Sequence, residues 1–239
     1  MLFLFIVLGL LPSFAWLIFF RKEDLHPEPK KMIAKVFVGG ALITIAALAV
    51  QYGIRDILNF LSVSEFAFIS FLLFAATEEI LKFLVTWKIV SKSKYFDEPV
   101  DAMIYVITAS LGFALVENLA VALSSHGIGE AAASIILRFV GATLLHALSS
   151  AIVGYYWAKS LMIIRLKQSA STADDGIYER QSPRLWIILE GIAIASALHA
   201  LFNYLILNLK DIVVYPIIFL VLVAIFVFWD FERLKNRPN

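Results

Sequence analysis

The sequence predicts an all-α bundle of about seven membrane-spanning helices, with the N-terminus outside and the C-terminus inside. Three observations predict it. Apolar types fill 61% of the 239 residues and charged types only 16%, where a soluble domain is about half apolar and about a quarter charged. Apolar runs of about 20 residues, long enough to cross the hydrocarbon core as helices, recur along the chain. Of the 20 basic residues, 16 fall in alternate connecting segments. The same composition excludes other classes. With no cysteine there is no disulfide, thiolate metal site or cysteine nucleophile. A net charge of +1 excludes a nucleic-acid binder of the bulk electrostatic kind.

The runs fall at 2–20, 34–52, 66–87, 99–123, 134–158, 185–208 and 212–229. The first has no basic residue before it, unlike a cleavable signal peptide, and is expected to be a retained helix. The second is the weakest, with Lys35 at its start and Gly39 and Gly40 inside; the glycine pair is read as packing. The third contains Thr77, Glu78, Glu79 and Lys82, the fourth Glu117 and Asn118, the fifth His146, and the sixth His199 and Asn203. Residues 1–239 are expected to form one membrane-embedded domain. The Ser- and Asp-rich stretch 160–184 is expected to be a mobile cytoplasmic loop. Basic residues crowd the segments after spans one, three, five and seven, whereas the alternate loops hold only Arg55 and Lys210. The positive-inside rule sets the orientation from that asymmetry. No internal repeat supports an inverted-repeat transporter.

Ionisable side chains in mid-bilayer cost about 2.5–3.5 kcal/mol each. Glu78, Glu79, Lys82 and Glu117 together would cost on the order of 10 kcal/mol facing lipid, so they must face one another or a wet interior. Counting about 1.5 Å per residue from the outer helix ends places Glu78 at ~18 Å, Glu117 at ~9 Å, His146 at ~12 to 18 Å and His199 at ~14 Å. Four helices thus deliver carboxylate or imidazole to one layer in the outer half of the bilayer. Glu78 and Glu79 can each pair with Lys82, at i,i+4 and i,i+3. Phe113 shares a face with Glu117, and His199 with Asn203. Arg138 and Glu190 lie near span ends, where side chains snorkel. His26 and His126 lie in loops.

A carboxylate that activates water, with imidazole and carboxamide donors for the oxyanion, can hydrolyse a peptide bond. Two histidines and a glutamate also make a zinc ligand set, although no HExxH helix is present. Ser149 and Ser150 lie near His146, but no nucleophile turn accompanies them.

Glu78-Glu79-x-x-Lys82, Phe113-x-x-x-Glu117-Asn118 and His199-x-x-x-Asn203, in this order on successive helices, resemble the PrsW family of intramembrane proteases. So do the stretch DEPVDAMIYVITASLGFALVEN at 97–118 and the juxtamembrane RKEDLHPEPKK. That family belongs to a wider group with the CaaX prenyl proteases, bacteriocin-processing enzymes and the Aph subunit of gamma-secretase. The resemblance runs from about residue 20 to residue 205. Ala102 stands where such sequences carry glycine.

The resemblance implies a membrane-embedded endopeptidase of the bacterial plasma membrane. Its substrate would be a single-span membrane protein, as in family members that make the first, extracytoplasmic cut in an anti-sigma factor. It implies Glu78 as the base, Glu79 as its partner tied to Lys82, and Glu117 in the second motif. His199 and Asn203 would bind water and oxyanion, with His146 completing the cluster and Phe113 and Asn118 in support. No cofactor is favoured; a zinc ion, if one is used, is expected on Glu117, His146 and His199. The alternatives are a zinc-dependent version of the same protease and a non-catalytic membrane scaffold that binds a partner, as in the Aph branch. An ion-coupled transporter is the third, for which membrane carboxylates are also suggestive. The partners expected are the substrate and the lipid bilayer, with no nucleic acid.

Overall fold

The computed structural model describes residues 2–24, 26–171, 184–208 and 214–235. Eight helices account for nearly all of them: α1 (Leu2–Phe20), α2 (Lys30–Phe60), α3 (Phe68–Val90), α4 (Pro99–Ser124), α5 (Ile128–Val140), α6 (Ala142–Ser171), α7 (Leu185–Asn208) and α8 (Val214–Lys235). No strand occurs among the described residues. The all-helical membrane bundle expected from the sequence is what forms.

Six stretches are long and apolar enough to cross a membrane: α1, α2, α4, the α5–α6 segment over Ile128–Ile163, α7 and α8. Helix α3 has 23 residues, about 34 Å, which also suffices. It departs from the others because Glu78, Glu79 and Lys82 sit in its middle, all buried. Its polarity belongs to the interior of the bundle.

Helix α4 is the axis of the fold. Every residue from Val100 to Leu115 is buried, the signature of a helix surrounded by others. It packs on α6, α2 and α1, while α3 packs on α7 and α2, and α7 on α6. Pro99 at the first helical position and a reciprocal capping box between Glu98 and Asp101 start it. The expected weak second span is one continuous helix of 31 residues, and Gly39–Gly40 does not break it. A Cβ on Gly40 would lie 1.8 Å from the Ala109 carbonyl oxygen, and one on Gly112 would lie 2.0 Å from that of Phe37. Glycine on both helices therefore lets the backbones of α2 and α4 touch.

Two boundaries differ from expectation. The fifth span is broken at Gly141 (φ −106°, ψ −100°), which caps α5 before α6 begins. Helix α6 then runs on to Ser171, well into the segment expected as a loop. Residues 172–183, the rest of that expected loop, lie outside the described residues.

Candidate active site

The site sits where α3, α4, α6 and α7 meet. Adjacent glutamates on α3 diverge by about 100°, yet one lysine a turn later gathers both. Lys82 Nζ donates to Glu79 Oε1 at 3.0 Å and to Glu78 Oε2 at 3.4 Å. It also donates to Nδ1 of His146 on α6 at 2.8 Å and lies 4.6 Å from the centre of the Phe113 ring on α4. Lys82 and Glu79 are fully buried, with 0% exposure each. A buried cation of this kind is tolerated only when each of its protons has an acceptor.

Glu79 is saturated. Its Oε1 accepts from Lys82, from Ser149 Oγ at 3.0 Å and from His199 Nδ1 at 3.0 Å, and its Oε2 accepts from Ser150 Oγ at 2.9 Å. It ties α3, α6 and α7 together. The two serines are thus anchors for a carboxylate.

Glu117 is likewise committed. His146 Nε2 donates to its Oε2 at 2.9 Å, and Arg138 Nη2 donates to the same oxygen at 2.8 Å. Arg138 Nε also donates to Asn118 Oδ1 at 2.6 Å, and Asn118 Nδ2 reaches Thr143 Oγ1 at 3.0 Å.

Glu78 has capacity left. Gln51 Nε2, from α2, donates to its Oε1 at 2.9 Å. Its Oε2 faces His146 Nδ1 and His199 Nε2, each at 3.8 Å. Because Glu117 and Glu79 take the N–H of the two rings, the nitrogens turned toward Glu78 carry lone pairs. The rings stand edge to face, 4.9 Å apart. Asn203, half-buried one turn past His199, makes no side-chain hydrogen bond to any described residue.

The structure thus brings Glu78, Glu79, Lys82, Phe113, Glu117, Asn118, His146 and His199 into one cluster. Thr77 stays outside it and donates to the Leu73 carbonyl. His26 pairs with Glu98 at 2.8 Å, away from the cluster. Two partners escaped the sequence reading. Arg138, set aside as a snorkelling residue, grips Glu117. A signal existed: three span glutamates need more than one cation, and Arg138 lies near the start of the fifth span. Gln51 left no such signal, being an ordinary polar residue at a span end.

Within this cluster, Glu78, His146 and His199 bring ligand atoms within 4.8 Å of one another. The expected trio had Glu117 in place of Glu78, but Glu117 is turned to Arg138 and to the far nitrogen of His146. Glu78, His146 and His199 fit a divalent ion by type, and both imidazoles are oriented by carboxylates as metal-binding histidines commonly are. Lys82 lies on two of the same donor atoms.

Comparison with known proteins gives the family. The family model described as "PrsW family intramembrane metalloprotease" matches residues 28–229. Protease PrsW of Bacillus subtilis is 28% identical over 232 residues, covering 95% of this chain and 92% of that protein. Protease PrsW of Oceanobacillus iheyensis is 33% identical over 152 residues, covering 64% and 67%. That of Geobacillus kaustophilus is 30% identical over 161 residues, covering 67% and 68%. No solved structure gives a significant match. The match takes in all four helices that meet at Lys82, and on it the chain belongs to the PrsW family of intramembrane proteases.

Proposed function

We propose that the chain is a glutamate-type intramembrane endopeptidase of the bacterial plasma membrane that cuts a single-span, anti-sigma-factor-like protein in the outer half of the bilayer. The observation that carries the mechanism is the inequality of the three glutamates. Glu79 accepts from four buried donors and Glu117 Oε2 from His146 and Arg138, whereas Glu78 Oε2, beyond the 3.4 Å contact from Lys82, faces His146 Nδ1 and His199 Nε2 at 3.8 Å, and the His199 nitrogen carries a lone pair that no described donor takes. A polar gap of that width suits a bridging water.

Glu78 takes a proton from that water as its oxygen attacks the peptide carbonyl carbon. The oxyanion donor assigned from the family resemblance is Asn203, one turn past His199 on α7. The proton held by Glu78 passes to the leaving amide nitrogen as the C–N bond breaks, giving a carboxylic acid and an amine. Glu79 holds His199 and Lys82 in register and does not itself react. The anti-sigma-factor-like substrate rests on the family resemblance, and the outer-half depth expected from the sequence is compatible with it.

A zinc-dependent version is the second reading, favoured by the Glu78–His146–His199 trio and its carboxylate backing. Zinc there would lower the pKa of a bound water. Metal analysis of the purified protein separates the two: the glutamate reading expects cleavage to survive chelation, and the zinc reading expects one ion per chain.

Substrate trapping tests the proteolytic reading itself. Glu78→Gln should retain an intact single-span protein on crosslinking, while the wild type holds less of it and releases fragments. Equal capture of an uncut protein by both would instead identify a scaffold.

A further inference from the structure

We infer that Arg138, on the last turn of α5, is a positioning residue that holds Glu117 against His146 and thereby keeps His146 Nδ1 turned toward Glu78. On a straight helix Arg138 and His146 would lie about 12 Å apart along the axis. The break at Gly141 lets both meet Glu117 Oε2, at 2.8 and 2.9 Å. Arg138 also donates from Nε to Asn118 Oδ1 at 2.6 Å, so its planar fork is fixed at two points on consecutive residues of α4. Lysine cannot reproduce that two-point grip.

The Glu117 side chain is 28% exposed and that of His146 only 3%. A carboxylate at the rim of a site turns to water unless something holds it inward. Arg138 supplies the hold. Without it Glu117 swings outward and Nε2 of His146 loses its acceptor, so that the ring is held at Nδ1 alone, by Lys82 at 2.8 Å, and gains freedom to move away from Glu78. Among the described residues helix α5 packs on α1, α4 and α6 and not on α3 or α7, and Arg138 is the side chain it sends to Glu117 and Asn118.

The proposal deepens the glutamate-protease reading, but its test does not depend on cleavage. The full-length protein, with 15N-labelled histidine in detergent micelles, gives side-chain nitrogen spectra in which His146→Gln assigns the His146 signals. In the wild type the proton of His146 is expected on Nε2. Arg138→Met is expected to shift and exchange-broaden that Nε2–H signal, with the other histidines unchanged. Arg138→Lys, which keeps the charge and most of the volume, is expected to fall between and carries the test if the methionine variant does not fold. A folded Arg138→Met or Arg138→Lys protein with a wild-type His146 signal overturns the proposal. Lowered melting temperature with an unchanged signal assigns Arg138 a structural role alone. Loss of the signature in the Arg138 variants, together with a wild type that keeps it but cleaves nothing, leaves this inference standing and removes the protease reading.

Discussion

Glu78 and Glu79 are neighbours of the same type with opposite environments, and they separate chemistry from architecture. Glu78→Gln keeps one oxygen to accept from Lys82, and its new N–H can donate to the Gln51 amide oxygen once that amide flips, so the protein should fold with a melting temperature near wild type. Cleavage should fall by roughly 10²- to 10⁴-fold, as loss of a general base does. Glu79→Ala removes the acceptor of Lys82, His199, Ser149 and Ser150 at once. Breaking a buried pair of this kind costs about 3–5 kcal/mol, to be read as a drop in melting temperature before any assay of activity. The sequence made the set of polar residues legible, because each is conspicuous against an apolar background. It could not divide their roles. Which glutamate saturates depends on Ser149 and Ser150, whose relation to α3 comes from how α6 packs.

At the level of helices and their joints, the closeness of α2 and α4 is the most exposed element of the account. Gly40→Ala would place a methyl 1.8 Å from the Ala109 carbonyl oxygen, so the helices must part, at a cost of about 1–3 kcal/mol or more. Gly53→Ala, on the same helix with nothing within 4 Å, should instead gain up to about 1 kcal/mol from helix propensity. Thermal melts of the two variants side by side read the difference.

The joint between α1 and α2 carries a pH dependence. Burial, the largest cause, holds the Asp24 and Glu28 carboxyls above their ordinary values of 3.8 and 4.5. Backbone N–H groups at Asp24 and the Tyr105 hydroxyl at Glu28 pull back only part of the way. The folded chain therefore binds more protons than the unfolded one, and stability falls as pH rises from about 4 through the raised values. Asp24→Asn and Glu28→Gln should flatten that slope in melts taken across pH. Helix identity was legible from hydropathy, and the glycine pair was legible as packing. The break at Gly141 was not. A single glycine in an apolar run reads as tolerated unless the partner helix is known, and here the partner is α4 with Glu117.

The molecule as a whole is an apolar shell around one polar cluster, and its orientation in the bilayer decides which side of a substrate it reaches. The charge asymmetry predicts the α2–α3 joint outside and the α3–α4 joint inside. The chain has no native cysteine, so single reporters are clean. Ser64→Cys should react with a membrane-impermeant maleimide in intact cells, and Ser93→Cys should react only after lysis. The reverse pattern would place the polar layer in the inner leaflet and remove the extracytoplasmic cut. Composition alone set the class and the span pattern. The meeting of four helices on Lys82 was visible only as matching depths, because helix-to-helix azimuth is set by packing that no single span encodes.

The most direct test compares membranes carrying the wild type with membranes carrying Glu78→Gln at equal protein level, by mass spectrometry of shortened single-span proteins. The account predicts a fragment that appears only with the wild type, cut within the outer half of its span. Matching fragment sets, with both proteins folded and the cells under envelope stress, would contradict it.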